Sequence, residues 1–386
     1  MRVDPSSSAA EPAVVHSLYV HVPFCHTICG YCDFYSEVLD RRRVTPLVDA
    51  LLRELDQLTA RYRLALDTIF VGGGTPTVLP APELERLLTR VAALASAECE
   101  FNVEANPATV TDEIADALQR AGVNRVSIGA QSFDRGELAV LDRIHNPEQV
   151  PQTVERVRRA GIPRISLDLI FAVPGQSVQR WLANVSAALA LGPQHLSCYG
   201  LTYEPGTPLY DQLRTGRVQR VDEDREADMF EATIDHLAAA GFEQYEISNF
   251  ARPGEACRHN LVYWNNLPAL AIGPSAAGFD GSLRYRNVPD TAAYVRMIES
   301  GAAPRIEEEC LSFDRRMRES AMLGLRLTRG LDRAAFTERF SHDPLTLFPD
   351  RGADFIRDGL LHADADCVRL TRRGLLLANR VSAAVL

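Results

Sequence analysis

Short apolar runs rich in β-branched residues alternate along most of the chain with stretches whose apolar positions recur at helical spacing. The first run, Val14–Val22, predicts a strand, and Thr45–Tyr62 predicts an amphipathic helix. The pairing then repeats, with strands predicted at Asp67–Val71, Cys99–Val103, Arg125–Ile128, Arg164–Ile170, His195–Tyr199 and Glu243–Ile247, and helices at Ala81–Ala95, Thr111–Ala121, Val178–Leu191 and Asp222–Ala240. This alternation favours an α/β fold built from parallel βαβ units with right-handed crossovers.

The ends of the chain have a different character from this repeating part. Residues 1–13 are rich in Ser, Ala and Pro and predict a flexible tail. Residues 14–248 form the predicted α/β core, and residues 249–305 a connecting segment. Residues 306–386 predict a small α+β domain in which helices precede a short β-ribbon, an arrangement that resembles a winged helix. A docking or lid role is favoured for that domain over nucleic-acid binding.

Composition narrows the class of protein. The 386 residues are 46% apolar and 24% charged, as in soluble globular proteins. The net charge of -10 argues against general nucleic-acid binding. Eight cysteines are too few for a disulfide scaffold, and no secretory signal or membrane-spanning run is visible. We therefore expect a cytoplasmic protein without a membrane span, for which peripheral membrane contact stays open.

Three cysteines lie close together just after the first predicted strand. Cys25, Cys29 and Cys32 have C-x3-C-x2-C spacing, and three thiolates on one loop can hold three irons of a cubane iron–sulfur cluster. The fourth iron would then be open to an exogenous ligand. A zinc site completed by His21 or His26 is the alternative, although the sequence has no second paired-ligand motif. Both histidines are expected to be packing or supporting groups.

Further polar residues lie at or near the carboxyl ends of the predicted strands, where parallel α/β sheets place their sites. The glycine-rich segment Gly72–Pro76 predicts either a tight turn or a loop that approaches a ligand closely. Glu104 and Gln131 each end a strand, and Arg143 follows the second of these. Asp168 lies inside an apolar strand, so it needs either an arginine partner or a ligand whose hydroxyl or ammonium group it can bind.

Six segments together resemble one branch of the radical S-adenosylmethionine (SAM) superfamily. They are YVHVPFC with the next two cysteines and CDF, GGGTPT, EANP, GAQSF, LDRIH and DLIFAVPGQS. From Leu18 onward the chain resembles oxygen-independent coproporphyrinogen III oxidases and HemW-type haem chaperones. The resemblance implies a partial (β/α)6 barrel with a [4Fe-4S] cluster on Cys25, Cys29 and Cys32. It also implies SAM contacts at Tyr19, Tyr31, Gly73, Gly74, Thr75, Glu104, Gln131, Arg143 and Asp168.

Two features favour the chaperones within this branch. The oxidases resemble C-x3-C-x2-C-x-C, whereas this chain has Phe34 at the position of the fourth cysteine. The chain also contains the motif H-N-x-x-Y-W, which is associated with haem binding in the HemW-type proteins. The resemblance therefore implies haem contacts at His259, Asn260, Tyr263 and Trp264. The alternative is a structural cap in which these residues bond the backbone and fill the core.

The resemblance implies a radical SAM-type haem chaperone that binds a cluster, SAM and haem and delivers haem to an acceptor protein. It also implies an electron donor for the cluster. The alternative is an enzyme, an oxygen-independent coproporphyrinogen III oxidase, and Phe34 argues against that activity. A zinc-stabilised binding module is a third hypothesis.

Overall fold

The computed structural model describes residues 14–348 and 351–386, so the predicted tail 1–13 lies outside the described residues. The strands are β1 Val14–Val22, β2 Phe24–Cys25, β3 Glu37–Val38, β4 Arg63–Gly73, β5 Ala95–Ala105, β6 Arg125–Gln131, β7 Arg164–Phe171, β8 His195–Gly200, β9 Glu243–Gln244, β10 Asn249–Ala251, β11 Leu270–Ile272, β12 Ala277–Phe279, β13 Leu283–Asn287, β14 Arg305–Cys310, β15 Leu331–Asp332, β16 Leu361–Ala363 and β17 Cys367–Leu370.

The helices follow the predicted alternation through the first part of the chain. They are α1 Arg41–Arg61, α2 Ala81–Ala92, α3 Asp112–Arg120, α4 Arg135–Val140, α5 Gln149–Arg159, α6 Val178–Ala190, α7 Pro208–Arg214, α8 Glu223–Ala239, α9 Arg258–Trp264, α10 Thr291–Glu299, α11 Phe313–Gly324, α12 Arg333–Phe340, α13 Gly352–Arg357, α14 Arg372–Leu376 and α15 Ala378–Ser382. Short 3₁₀ helices lie at Pro76–Val78 and Pro344–Leu347. Thr111 caps α3, since its side chain accepts a hydrogen bond from the Ile114 amide at 3.2 Å.

The large sheet confirms the predicted partial barrel. Its order is β11-β1-β4-β5-β6-β7-β8-β10-β9, and β1 and β4 to β8 are six parallel neighbours. The edge strands β11 and β9 do not pair with each other, so the barrel stays open. Helices α1, α2, α5, α6 and α8 pack against strands β4 to β8, one helix to each strand in that order. The main apolar core fills the space between these helices and the sheet.

The inner face of the barrel carries polar side chains, which mark the interior as the place for a site. On β5, Glu100, Asn102 and Glu104 alternate with the buried apolar residues Phe101 and Val103. Because successive side chains on a strand point to opposite faces, the polar set faces the interior of the barrel and the apolar set faces the helices. The interior is therefore suited to a polar ligand.

The end of the core differs from the prediction. The single strand predicted at Glu243–Ile247 is instead the short strand β9 followed by a turn and β10, which is antiparallel to β8. The turn forms because the Glu246 carboxylate accepts hydrogen bonds from the Ser248 amide, at 3.1 Å, and from the Asn249 side chain. The segment 249–305 also supplies β11, which pairs in parallel with β1.

The C-terminal region has an apolar core of its own. Met317, Phe336, Leu361 and Val368 are among its buried residues. Helices α11 to α15 surround the antiparallel sheet β15-β17-β16, as the predicted combination of helices and β-ribbon requires. Within residues 14–348 and 351–386, none of the helices combines the length and the apolar character needed to cross a bilayer.

Candidate functional site

The three cysteines lie on a loop at the carboxyl ends of β1 and β4. Cys25 belongs to the short strand β2, and the Cys32 amide donates to the Cys29 carbonyl at 3.2 Å in a tight turn. The loop is held to the barrel because the Leu209 amide donates to the Gly30 carbonyl at 2.8 Å. All three cysteines are half-buried, so their sulfurs are accessible to a bound group but shielded from bulk water.

Two of the sulfur atoms accept hydrogen bonds from protein donors. The Thr75 hydroxyl donates to Cys25 Sγ at 3.6 Å, and Arg143 Nη1 donates to Cys29 Sγ at 3.4 Å. Burial, with smaller contributions from the neighbouring Cys29 and Cys25, raises the pKa of Cys32 to about 11. Three cysteine side chains on one short loop supply the soft sulfur ligands that an iron–sulfur cluster requires.

The segment beside the cysteine loop requires glycine, because its backbone passes very close to neighbouring side chains. Gly73 has φ +105°, and a Cβ on it would lie 2.5 Å from the His21 ring. A Cβ on Gly72 would lie 2.6 Å from Glu104 Oε2. The Gly73 amide donates to that same oxygen at 3.1 Å, so the segment orients the Glu104 carboxylate.

Glu104 and Asp168 share the interior of the barrel. Burial raises the pKa of Glu104 to about 8, and the negative charge of Asp168 adds to this effect. Burial also raises the pKa of Asp168, whose two oxygens accept from the Ser127 hydroxyl at 3.0 and 2.9 Å. Arg143 and the Ser197 side chain partly offset that shift. The region therefore holds two buried carboxyl groups whose charged forms a cationic ligand would stabilise.

Arg143 connects the carboxylates to the cysteines. Its Nη2 donates to the Gly129 carbonyl at 2.6 Å, while Nη1 reaches Cys29. Gln131 begins the turn after β6 with φ 60°, and its side chain lies where a Cβ on Gly129 would be, at 2.8 Å. Burial raises the pKa of Tyr31, with Cys29, Cys32 and Asp168 also contributing. Tyr31, Gln131 and Arg143 therefore meet beside the sulfurs.

Tyr19 and His21 lie on β1, and the His21 ring is next to Gly73 of the glycine-rich segment. The Tyr19 hydroxyl and His21 Nδ1 are 3.1 Å apart, and His21 Nε2 donates to the Tyr35 carbonyl at 2.9 Å. Burial lowers the pKa of His21 to about 4, so the ring is neutral and both its nitrogens are engaged. His21 thus has the packing geometry that was predicted, whereas His26 is exposed.

Comparisons with known proteins agree with this geometry. A model of the radical SAM superfamily matches residues 19–186, and one of the HemN C-terminal domain matches residues 311–377. The chain is 37% identical to heme chaperone HemW of Bacillus subtilis (strain 168), over 96% of this chain and 99% of that protein. The chain belongs to the HemW family of the radical SAM superfamily.

Two further comparisons concern the extent of the likeness. Heme chaperone HemW of Escherichia coli (strain K12) is 40% identical over 68% of this chain and 69% of that protein. The coproporphyrinogen III oxidase HemN from Escherichia coli has a solved structure that matches with a TM-score of 0.84 and 22% identity. The match covers 97% of this chain and 90% of that one. It shows that this chain shares the fold of that oxidase across the barrel and the C-terminal domain.

Membership in the radical SAM superfamily implies a [4Fe-4S] cluster and SAM, and the described residues fit both groups. Arg143 Nε is buried and has no hydrogen-bond partner among the described residues, so a donor remains for a ligand carboxylate. Glu104 and Asp168 offer acceptors for a ligand that also carries positive charge. The three thiols supply soft sulfur ligands for iron.

The H-N-x-x-Y-W motif of the HemW family lies on α9, between β4 and helix α11 of the C-terminal domain. His259 is 1% exposed, and its ring stacks on Phe70 with centroids 5.3 Å apart. Its Nδ1 is 2.8 Å from the Thr68 hydroxyl and its Nε2 is 3.0 Å from the Tyr263 hydroxyl. Burial lowers the pKa of His259 to about 3. A haem iron could reach this neutral ring only after one of these hydrogen bonds breaks.

Among the other motif residues, Trp264 contacts the C-terminal domain and Asn260 contacts the segment after β9. Asn260 Nδ2 donates to the Tyr245 hydroxyl at 3.2 Å. Tyr263 is 38% exposed, although its hydroxyl is bonded to His259. The Arg326 guanidinium lies 4.7 Å from the centre of the Trp264 ring. The motif side chains thus make contacts within the protein, and their haem contacts stay a prediction.

Several residues at the site were not predicted. Ser127 and Ser197 hold Asp168, and Gly129 leaves room for Arg143. The signal for them was present, because β6 and β8 read RVSIGAQ and HLSCYG, with a polar or small residue at every second position. Phe34, which replaces the fourth cysteine of the oxidases, is 69% exposed beside the loop.

Proposed function

We propose that this protein is a radical SAM-type haem chaperone that binds a [4Fe-4S] cluster, SAM and haem and transfers haem to an acceptor protein. The observation that carries the proposal is the cysteine loop facing Arg143 and two carboxylates inside an open barrel. An electron donor for the cluster is a second expected partner. The names of the full-length relatives support the haem cargo.

In this proposal each residue at the barrel mouth has a physical role. Cys25, Cys29 and Cys32 would ligate three irons, and Arg143, whose Nη1 donates to Cys29 Sγ, would support that sulfur as a ligand. The loop offers no fourth thiol, because Phe34 stands where the oxidases have cysteine, so one iron would be left open for SAM. When bound and reduced, the cluster supplies an electron to the sulfonium group of SAM.

The SAM site in this proposal extends from the glycine segment to β7. Glu104 would accept from the ammonium group of SAM and Arg143 would bind its carboxylate. Asp168 would accept from ribose hydroxyls. The remaining proposed contacts surround these three, namely Tyr19, Tyr31, Gly73, Gly74, Thr75 and Gln131. The open interior of the barrel leaves the ligand accessible from the mouth.

The rival function, oxygen-independent coproporphyrinogen III oxidation, has one specific observation in its favour. The whole chain matches the fold of HemN, which is an oxidase. Against it stand the higher identity to proteins named as heme chaperones and the phenylalanine at position 34. A likeness of fold at 22% identity carries no activity, so the chaperone remains the proposal.

The proposal is tested by measuring iron, sulfide and haem in anaerobically purified protein, with and without SAM. We expect about four irons and four sulfides per chain before haem is added, and one haem afterwards. The variant Cys29→Ser should lose the brown cluster absorbance while it still binds haem. Cys310→Ser, an exposed cysteine on β14, is the matched control and should retain the cluster.

Two outcomes would overturn the proposal. Zinc without iron or sulfide would identify a zinc-stabilised module. Formation of protoporphyrinogen from coproporphyrinogen III under anaerobic reducing conditions would identify an oxidase.

A further inference from the structure

Three potential metal ligands meet on the hairpin that β16 and β17 form in the C-terminal domain. They are His362 in the middle of β16, Asp364 in the turn and Cys367 at the start of β17. One imidazole nitrogen, one carboxylate oxygen and the sulfur lie within 4.8 Å of one another. None of the three belongs to the cysteine loop or to the H-N-x-x-Y-W motif, so this cluster is separate from the candidate site described above.

The pairing of the two strands brings the histidine and the cysteine to one face of the hairpin. His362 pairs with Arg369 across the antiparallel ladder. Because side chains alternate along a strand, Cys367 lies on the same face as Arg369 and therefore on the same face as His362. Leu361 and Val368 lie on the opposite face and are buried in the core of the C-terminal domain. The hairpin thus buries its apolar side chains and presents two metal-binding side chains at the surface.

The two oxygens of the Asp364 carboxylate have different surroundings. Oδ1 accepts from the amides of Asp366 and Cys367, at 2.9 Å each, and these contacts form the turn. Oδ2 lies 2.9 Å from His362 Nε2 and 3.9 Å from Cys367 Sγ. The turn therefore uses one oxygen and holds the other between the nitrogen and the sulfur.

These separations suit a tetrahedral transition-metal ion. Zinc bonds of about 2.0–2.3 Å place the ligand atoms roughly 3.3–3.6 Å apart, so small rotations of the His362 and Cys367 side chains complete the set. A combination of nitrogen, oxygen and sulfur donors favours zinc, whereas Mg²⁺ and Ca²⁺ take oxygen ligands. The side chains of His362 and Asp364 are 42% and 47% exposed, which leaves access for water as a fourth ligand.

The charges around the hairpin are compatible with a bound cation. Partial burial and the nearby Asp364 carboxylate raise the pKa of the Cys367 thiol, and Arg369 on the same face partly offsets them. Arg333 donates to the Asp364 carbonyl, but its own charge is paired with Asp343. The Asp364 carboxylate and the Cys367 thiolate together offset the two positive charges of a zinc ion.

We propose that His362, Asp364 and Cys367 form a zinc site with water as the fourth ligand. The site does not depend on the proposed function, since it uses neither the cysteine loop nor haem. A bound ion joins β16 to β17 across their turn and thereby stabilises the folded C-terminal domain.

The test is zinc binding to the full-length, cluster-loaded protein purified anaerobically, with a chromophoric chelator as competitor. We expect about one zinc per chain in addition to the iron of the cluster. His362→Ala and Cys367→Ala should each weaken zinc affinity at least about tenfold, since a lost ligand costs no less than a lost supporting group. His342→Ala and Cys310→Ala, which remove an exposed histidine and an exposed cysteine outside the cluster, are the matched controls.

A second pair of variants separates metal binding from the formation of the turn. Asp364→Asn keeps a side-chain oxygen for the turn but removes the charged ligand, so zinc affinity should fall about tenfold or more. Asp366→Asn should leave zinc affinity unchanged. In the wild-type protein, zinc should protect Cys367 from alkylation, whereas Cys310 should react equally with and without zinc.

Three results would overturn the zinc site. Wild-type protein that binds no zinc beside its iron would show that the hairpin has no affinity for the metal. Equal zinc affinity in the wild type, His362→Ala and Cys367→Ala would place the ion elsewhere. Loss of iron in step with zinc uptake would place it on the cysteine loop. Iron and sulfide content, measured on each variant, reports on the proposed function separately, because neither depends on the hairpin.

Discussion

Glu104 illustrates how single residues set the charge of the barrel interior. Its carboxylate receives one amide hydrogen bond, from Gly73, and faces the carboxylate of Asp168. Burial together with this repulsion raises its pKa to about 8, so near neutral pH it carries a proton in the ligand-free protein. A bound cationic ligand would lower the pKa of Glu104, so that the carboxyl group would lose its proton.

The first residue-scale prediction follows from that coupling. SAM binding at about pH 7 should release a proton from Glu104, and SAM affinity should rise as pH increases through about 8. Glu104→Gln should weaken SAM binding about tenfold and abolish that proton release, because an amide cannot become a carboxylate. Calorimetry in buffers of different ionisation enthalpy measures both effects. Glu98→Gln, an exposed residue of the same strand, should behave like the wild type.

A contrary result has a clear meaning. If Glu104→Gln bound SAM with wild-type affinity and the same proton release, Glu104 would not contact the ammonium group. The cluster content of the variant should be unchanged, since Glu104 contacts the glycine segment and none of the three sulfurs.

At the scale of elements, α9 shows how a short helix is held by side chains from the barrel. Glu100 Oε1 accepts from the Arg258 amide at 2.8 Å and from the His259 amide at 3.3 Å. Its other oxygen lies 3.1 Å from Arg125 Nη2, and both of these side chains are buried. A carboxylate at a helix start satisfies amides that the helix itself cannot. This contact fixes the motif residues inside the barrel.

The second prediction concerns the stability of that helix. His259→Ala should lower the free energy of unfolding by about 1–3 kcal/mol, because it removes a buried ring together with its hydrogen bonds to Thr68 and Tyr263. Urea unfolding followed by circular dichroism measures the effect. His362→Ala is the control, since that side chain is 42% exposed on a surface hairpin, and in metal-free buffer it should cost little. Equal stabilities of the two variants would contradict a structural role for His259.

The order of helices and strands was largely readable from periodicity, and the exceptions have physical causes. Strand β1 has the predicted bounds, and β6 and β7 begin where they were predicted. Strands β10 and β11 were missed because each has three residues, too few for a pattern, and tertiary pairing creates them. The strand predicted at Glu243–Ile247 failed because the Glu246 side chain turns the backbone.

At the scale of the molecule, buried Glu54 ties distant parts of the chain together. It lies on α1 and accepts from the Gly273 amide at 2.8 Å, from Asn287 Nδ2 at 2.8 Å and from the Tyr294 hydroxyl at 2.5 Å. These donors come from the residue after β11, from β13 and from α10. Burial raises the pKa of Glu54 to about 7, despite the three donors.

The third prediction is a pH dependence of global stability. Because the pKa of Glu54 is higher in the folded protein than in the unfolded chain, the folded state binds more protons between about pH 4.5 and 7. The contribution of Glu54 to stability therefore decreases as pH rises through this window and is constant above it. Glu54→Gln should remove this part of the decrease, although the variant is less stable overall because its amide cannot accept from all three donors.

The measurement compares the free energy of unfolding of both proteins at about pH 5 and about pH 8. The wild type should lose more stability than Glu54→Gln over this interval. Glu155→Gln, in which an exposed carboxylate on α5 is changed, should follow the wild type. Parallel curves for the wild type and Glu54→Gln would show that Glu54 titrates as it does in the unfolded chain.

Much of the candidate site could be located from the sequence. The cysteine spacing and the polar residues at strand ends pointed to one edge of a parallel sheet, where Glu104, Arg143 and Asp168 do lie together. The supporting serines were missed, because a single serine in a strand carries no signal and only the alternation along the whole strand does. Their alternation with apolar residues would have revealed the polar inner face.

The sequence by itself determined the βαβ alternation, the cysteine loop and the family, since each depends on spacing along the chain. Tertiary structure alone decided that His259 is enclosed between Thr68 and Tyr263 and that Glu54 meets donors from three distant segments. The physical reason is that burial and hydrogen-bond partners come from residues far apart in sequence. A motif shows which side chains are present, but packing decides which of their atoms can meet a ligand.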